Sequence, residues 1–319
     1  MDASFRNSRD AIALFLAVTA LIFWFFVDVF GHELLAQIAI LAIFAMSLDL
    51  LVGYAGMVSL GHAAFFGAGA YATAGFATMA ELPMWAVIPM SMICASALAF
   101  CIGFFAVRLA GVFFIMITLA AGEMLHAFVF RSRFFGGDDG LSGVPRLNLE
   151  TLDIDLLHPA QFSLFTLVVA VLVYWIARSI VESPTGRVLV GIRLNEARMR
   201  ALGCRLFYYK LAVFVVAAGL AGLAGSLSAQ HNNFVSPELL TWTTSGEVLI
   251  VVIIGGIGSL VGPAAGAAVF VMLAHYVSGL TDYWMLFMGL FFIAVVLSGN
   301  EGIYGFFRRI KRIVVNVNR

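Results

Sequence analysis

Charge is scarce in this chain. Only 11% of its 319 residues are Asp, Glu, Lys or Arg, where soluble domains carry about 25%. A globular surface needs polar side chains to meet water, so a soluble fold is excluded. Lysine is nearly missing: Lys210 and Lys311 stand alone, preceded by Tyr209 and Ile310. A phosphate loop of the form GxxxxGK[ST] is therefore impossible here, and ATP hydrolysis would have to come from another chain. The three cysteines, Cys94, Cys101 and Cys204, show no CxxC spacing and read as small packing residues. No HExxH pattern occurs, and Asp138-Asp139-Gly140 lacks the alternating oxygen ligands of a calcium loop, so it reads as a turn. No metal, cofactor or catalytic constellation is expected, and a net charge of zero leaves no global signature for nucleic acid.

What is abundant is apolar sequence. Hydrophobic residues make up 62% of the chain and mean hydropathy is +1.03, which identifies an integral membrane protein. A spanning helix needs about 20 apolar residues. Suitable runs are 11–29, 34–52, 85–107, 111–130, 162–180, 211–229 and 283–298. Two further apolar regions are rich in glycine. The first, 57–80, reads as one broken span. The second, 248–277, is too long for one untilted helix and holds Gly255, Gly256, Gly258, Gly262 and Pro263, so it reads as two segments joined by a tight turn. The expectation is an all-α polytopic membrane protein with about ten transmembrane segments, some broken by glycine. It forms a single transmembrane domain over 1–319.

The charges that exist are segregated. Arg6 and Arg9 precede the first apolar run, which is longer than a signal-peptide core and reads as a retained helix. Arg308, Arg309, Lys311 and Arg312 gather near the C-terminus. Between them lies an island, 182–210, in which Arg187, Arg193, Arg198, Arg200, Arg205 and Lys210 face only Glu182 and Glu196. Basic loops stay in the cytoplasm, so the island and both termini are expected there. The loop 131–161, which carries Asp138, Asp139, Glu150, Asp153 and Asp155, is expected outside.

The island has its own helix signal over 195–203. Asn195 is a good N-cap and Gly203 a good C′ residue. Glu196 would sit at the positive end of the helix dipole and Arg200 near the negative end. Arg193, Glu196 and Arg200 share a face by spacing, with Arg198 pointing elsewhere. Ala197, Met199 and Leu202 make no clean stripe, which argues against a helix lying in lipid. A short capped helix on the cytoplasmic side reads as a handle for a protein partner; the alternative is a solvated basic loop that only sets topology.

Ionisable groups inside apolar runs are costly and face the protein interior. Asp49 and Glu123 are the clearest, and His126 lies one turn from Glu123. Ser59 and His62 sit in the first glycine-rich region, and Glu247 opens the second. These residues are candidates for a translocation path. The plainer reading is helix–helix hydrogen bonding, with the glycines serving close packing.

Several stretches together resemble a known family. The run Gly53-Tyr-Ala-Gly56 through Ser59-Leu-Gly61-His62-Ala-Ala-Phe-Phe-Gly67 to Gly69-Ala-Tyr71 is similar to the permease subunits of branched-chain amino-acid ABC importers of the LivM type. So are Gly137-Asp-Asp-Gly-Leu-Ser-Gly143, the island with Ile192, Arg193, Asn195 and Glu196, and Gly255-Gly-Ile-Gly258-Ser-Leu-Val-Gly262-Pro263. Asp49 departs from the family's usual Asn and Met57 from a common Gln. The resemblance implies a bacterial inner-membrane importer with a second permease subunit of the LivH type, two cytoplasmic ATPase subunits and a periplasmic amino-acid-binding protein. It also implies that the helix at 195–203 docks on an ATPase. Leucine, isoleucine and valine lead as solutes; similar permeases carry urea or amides. From the residues alone, an ion-gradient-driven secondary transporter of a small polar solute, with Asp49 and Glu123 as ion sites, is the main rival.

Overall fold

With no water at membrane depth, an apolar chain must satisfy its own backbone, and helices do this within one segment. A computed structural model describes residues 3–78, 82–146 and 156–297; the C-terminal basic cluster and Glu150, Asp153 and Asp155 lie outside the described residues. The described helices are α1 (Ala3–Phe26), α2 (Val29–Asp49), α3 (His62–Thr78), α4 (Met84–Ala106), α5 (Val112–Arg131) and α6 (Pro159–Glu182). After them come α7 (Pro184–Leu194), α8 (Glu196–Ala201), α9 (Leu206–Asn232), α10 (Trp242–Gly255), α11 (Val261–Leu280) and α12 (Trp284–Leu297). The described strands are β1 (Leu141–Ser142) and β2 (Phe234–Val235), paired antiparallel.

Among the described residues, six helices are long and apolar enough to cross a membrane: α2 with the turn after it, α4, α5, α6, α9 and α11. Shorter apolar helices occur at 13–26, 242–255 and 284–295. The protein is a multi-pass membrane protein.

The centre belongs to α2 and α9. Each has 83% of its most apolar window buried. α9 achieves this with small residues: Ala217, Ala218, Gly219, Ala221, Gly222, Ala224 and Gly225 are all buried. Small side chains let helix backbones approach closely where lipid offers no hydrophobic drive. A methyl group on Gly69 of α3 would overlap the Gly222 backbone, and one on Gly225 would overlap Phe66 O, so α3 lies directly on α9. On the other side α4 meets α9 where Ala95 faces Gly222 and Ser96 faces Gly219.

Two chain interruptions lie next to α2. Its regular turns give way to a π-helical stretch, Leu50–Ala55, ended by Gly56 at φ 70°. Residues 57–61 run without helix to α3, so the helix in the first glycine-rich region starts at His62 rather than near Met57. In the second region α10 ends at Gly255, five residues turn, and α11 begins at Val261. The start of α10 at Trp242 precedes the apolar run at Val248, because Thr243, Thr244, Ser245, Gly246 and Glu247 dilute the hydropathy of its first turns.

Candidate functional site

The two interruptions meet. Asp49 is fully buried at the end of α2. Its Oδ1 accepts from Gly258 N at 2.7 Å, and its Oδ2 accepts from Leu260 N at 3.0 Å. Both donors belong to the turn before α11, so the carboxylate lies at the positive end of that helix and satisfies amides that no helix bond would reach. One turn after Asp49, Gly53 touches Gly258: a Cβ on Gly53 would lie 2.6 Å from Gly258 Cα. Tyr54 Oη donates to Gly258 O at 2.8 Å. Arg193, from the end of α7, donates its Nη1 to Gly53 O. Asp49, Gly53, Gly258 and Arg193 thus form one junction between the membrane core and the charged island.

The island folds as two short helices. Ser183 Oγ accepts from Gly186 N at 3.2 Å and starts α7. Asn195 then takes an extended backbone, φ −163° and ψ 100°, and its Oδ1 accepts from Arg198 N at 2.9 Å to start α8. Gly203 ends the turn at φ 81°, and Cys204 N donates to Met199 O at 3.1 Å. The expected common face of Arg193, Glu196 and Arg200 is not formed. The extended Asn195 separates Arg193 from α8, and Arg193 turns back to Gly53. Glu196 pairs with Lys210, which is only 4% exposed on the first turns of α9. Arg198 and Arg200 stay exposed. So do Leu194 and Leu202, at 80% and 71%, a costly exposure for leucine on a surface without a partner.

The remaining candidates are spread along the core. Glu123 Oε1 accepts from Trp242 N at 3.2 Å and so caps α10 from another helix. His126 Nδ1 stands 4.0 Å from Glu123 Oε2, so the one-turn spacing brings the two close without a hydrogen bond. His62 is fully buried, with Nε2 2.9 Å from Ser47 Oγ and its ring stacked on Phe44 at 5.7 Å. His62 Nδ1 and Ser59 Oγ are buried without a hydrogen-bond partner among the described residues. Asp49 and Glu123 therefore both serve backbone amides at helix starts.

Sequence reasoning missed three groups here. Ser245 Oγ accepts from Ala63 N at 2.9 Å and caps α3 from across the fold. Lys210 appeared only as one more basic residue, not as the buried partner of Glu196. Arg146 fastens the loop after β1: its guanidinium donates to Gln230 O at 3.2 Å and His231 O at 3.0 Å, and meets Glu33 at 3.5 Å. The loop 131–161 also holds Arg131 and Arg133, so nothing in the sequence singles Arg146 out.

A cavity of about 460 Å³ opens among α2, α3, α9, α10, α11 and α12. Its residues fall into layers by helix position. His231, Asn232 and Ser278 lie at the helix ends nearest the β1–β2 pair. Gln37, Glu247 and His275 lie between one and about two turns from the ends of α2, α10 and α11. Phe44, Phe66 and Phe270 are deepest, and Phe44 rests on His62.

The high-affinity branched-chain amino acid transport system permease protein LivM of Salmonella typhimurium is 27% identical over 310 residues, covering 90% of this chain and 73% of that protein. The LivM protein of Escherichia coli is 28% identical over 283 residues, 82% of this chain and 67% of that protein. No solved structure gives a significant match. The family described as branched-chain amino acid transport system, permease component, matches residues 30–296, from α2 almost to the end of α12. The chain belongs to that family and is a permease subunit of a branched-chain amino acid importer.

Proposed function

We propose that this chain pairs with a second permease subunit of the LivH type and is driven by two cytoplasmic ATPase subunits. In this reading α1–α6 and α9–α12 each cross a bacterial inner membrane. Both termini and the α7–α8 island are then cytoplasmic, and the β1–β2 end receives solute from a periplasmic binding protein. The chain does no chemistry. ATP binding and hydrolysis in the partners move α7 and α8, and the movement alternates access to the path.

The observation that carries this reading is the hydrogen bond from Arg193 to Gly53 O. It joins the exposed island to the π-helical end of α2. Gly53 in turn lies on Gly258, and Asp49 holds the same turn. A displacement of α7 is thereby passed to α2 and to the start of α11 together. On the island, Leu194, Leu202, Arg198 and Arg200 offer an apolar and basic surface to an ATPase groove.

The test is reconstitution in vesicles. Leucine uptake should require the second permease, the ATPase subunits, the binding protein and ATP on the α8 side. Ion-gradient-driven uptake by this chain alone would replace this reading with the secondary-transporter one. Urea or amides displacing leucine uptake would reassign the solute. Single cysteines at 198 and 139 should react with an impermeant thiol reagent from opposite sides.

A further inference from the structure

We propose that the cavity among α2, α3, α9, α10, α11 and α12 is a solute-binding site within this one subunit, with Glu247 taking the ammonium group of a neutral amino acid. The proposal rests on the importer reading, and it adds a place and a chemistry for recognition.

Three carboxylates of the membrane helices were singled out in the sequence. Asp49 and Glu123 are bonded to backbone amides. Glu247 differs: it lines the cavity with no hydrogen bond or ion pair among the described residues. Glu247 is exposed to the cavity rather than packed against protein, and an ionisable side chain on an apolar helix marks a path or a ligand. A cation is the complement it lacks. Gln37 and His275 line the same cavity, and neither the Gln37 amide nor the His275 ring, which packs on Phe30 at 4.9 Å, makes a hydrogen bond among the described residues. Both are able to donate to a carboxylate. Glu247, Gln37 and His275 thus offer complements for the two charged ends of an α-amino acid from the wall of one cavity.

The next layer down is aromatic. Phe44 and Phe66 stack at 4.5 Å between ring centroids, and Phe270 closes the other wall. An aliphatic side chain buried there leaves water, whereas a charged side chain would find no partner among these rings. The volume of about 460 Å³ falls within the roughly 300–1,000 Å³ of ordinary small-molecule sites, which are likewise apolar with a few placed polar groups. Phe44 also stacks on His62, whose ring reaches Ser47, half a turn before Asp49. Occupancy of the aromatic floor is therefore connected through α2 to the junction that Arg193 grips.

Direct binding to the purified, assembled complex without ATP or binding protein tests this independently of transport. Radiolabelled leucine should bind saturably, and 4-methyl-2-oxopentanoate, which lacks the ammonium group, should compete at least tenfold more weakly. Glu247→Gln should weaken leucine binding at least tenfold and shrink the preference for leucine over the keto acid. Phe44→Ala should weaken leucine without changing that preference. A Glu247→Gln complex that keeps the wild-type preference overturns the proposal, even if ATP-driven uptake in the wild type upholds the importer reading. Should Glu247→Gln fail to assemble, Ser278→Cys in a background free of Cys94, Cys101 and Cys204 serves instead. Leucine, and not the keto acid, should slow its reaction with a maleimide, and equal rates with and without leucine overturn the site.

Discussion

Arg193 and Gly53 are 140 residues apart in sequence, yet the guanidinium of one donates to the carbonyl of the other. The acceptor is a backbone oxygen inside a π-helical stretch, where the regular helix ladder is broken. The bond therefore satisfies a group that the break leaves free, and it ties that break to the island. If this bond transmits force, its loss should uncouple rather than unfold. A hydrogen bond to a charged group contributes about 1.5–3 kcal/mol. Arg193→Gln should leave ATPase subunits bound and hydrolysing, while leucine moved per ATP falls roughly tenfold or more, as about 1.4 kcal/mol corresponds to a factor of ten. Arg193→Lys should recover part of it, because one point donor replaces the planar fork. Wild-type leucine-to-ATP ratios in Arg193→Gln would remove the relay.

The contact of Gly53 with Gly258 leaves no room for a methyl group. A Cβ on Gly53 would lie 2.6 Å from both Gly258 Cα and Gly258 N. Gly258 also holds φ 78°, a conformation that side chains disfavour. Gly53→Ala should therefore cost about 1–3 kcal/mol by overpacking, read as a lower thermal midpoint of the purified complex. Gly75→Ala is the control. Nothing lies within 4 Å of a Cβ there, and alanine in a helix interior is worth up to about 1 kcal/mol over glycine. Equal midpoints for Gly53→Ala and wild type would mean that α2 and the α10–α11 turn separate freely.

Asp49 distinguishes a clip from an ion site. It accepts from two backbone amides, and an asparagine side chain keeps one oxygen for that purpose. Asp49→Asn should retain uptake within about fivefold, since one neutral hydrogen bond is worth roughly 1 kcal/mol. Asp49→Ala leaves Gly258 N and Leu260 N without acceptors in the core, and it should lower the yield of assembled complex. Were Asp49 a coupling-ion site, Asp49→Asn would abolish uptake outright with assembly intact.

Features encoded locally were legible in the sequence. Apolar runs gave the membrane class, and Asn195 and Gly203 marked the ends of the island's second helix, because caps act within three or four residues. The partners of Asp49 and Glu123 were not legible, since they are backbone amides 209 and 119 residues away and carry no residue-type signal. Arg193 was placed on the wrong face because i,i+3 spacing assumes an unbroken helix, and Asn195 caps by leaving helical geometry. Lys210 was hidden for another reason: burial depends on how α9 meets α8, which hydropathy does not report.

The island gives the final prediction. Glu196 serves as the counter-ion of Lys210, which is 4% exposed. Removing one partner of a fully buried pair costs about 3–5 kcal/mol. The cost here is smaller, because the Glu196 side chain is 35% exposed and partly screened. Glu196→Gln should lower the thermal midpoint, and Glu196→Gln with Lys210→Met should restore it, because the uncompensated cation is then gone. Uptake should return with it, since Glu196 is occupied by Lys210 rather than held out to a partner. Arg200 is the opposite case. It is exposed and unpaired among the described residues, so Arg200→Glu should leave the fold alone and weaken ATPase binding. Gly203→Val acts through the backbone: at φ 81° a β-branched residue is strained, and the end of α8 must rearrange. Both variants should insert and assemble with the second permease but lose leucine-stimulated ATP hydrolysis. Normal stimulation in both would reduce the island to a topology signal and leave Arg193 with nothing to transmit.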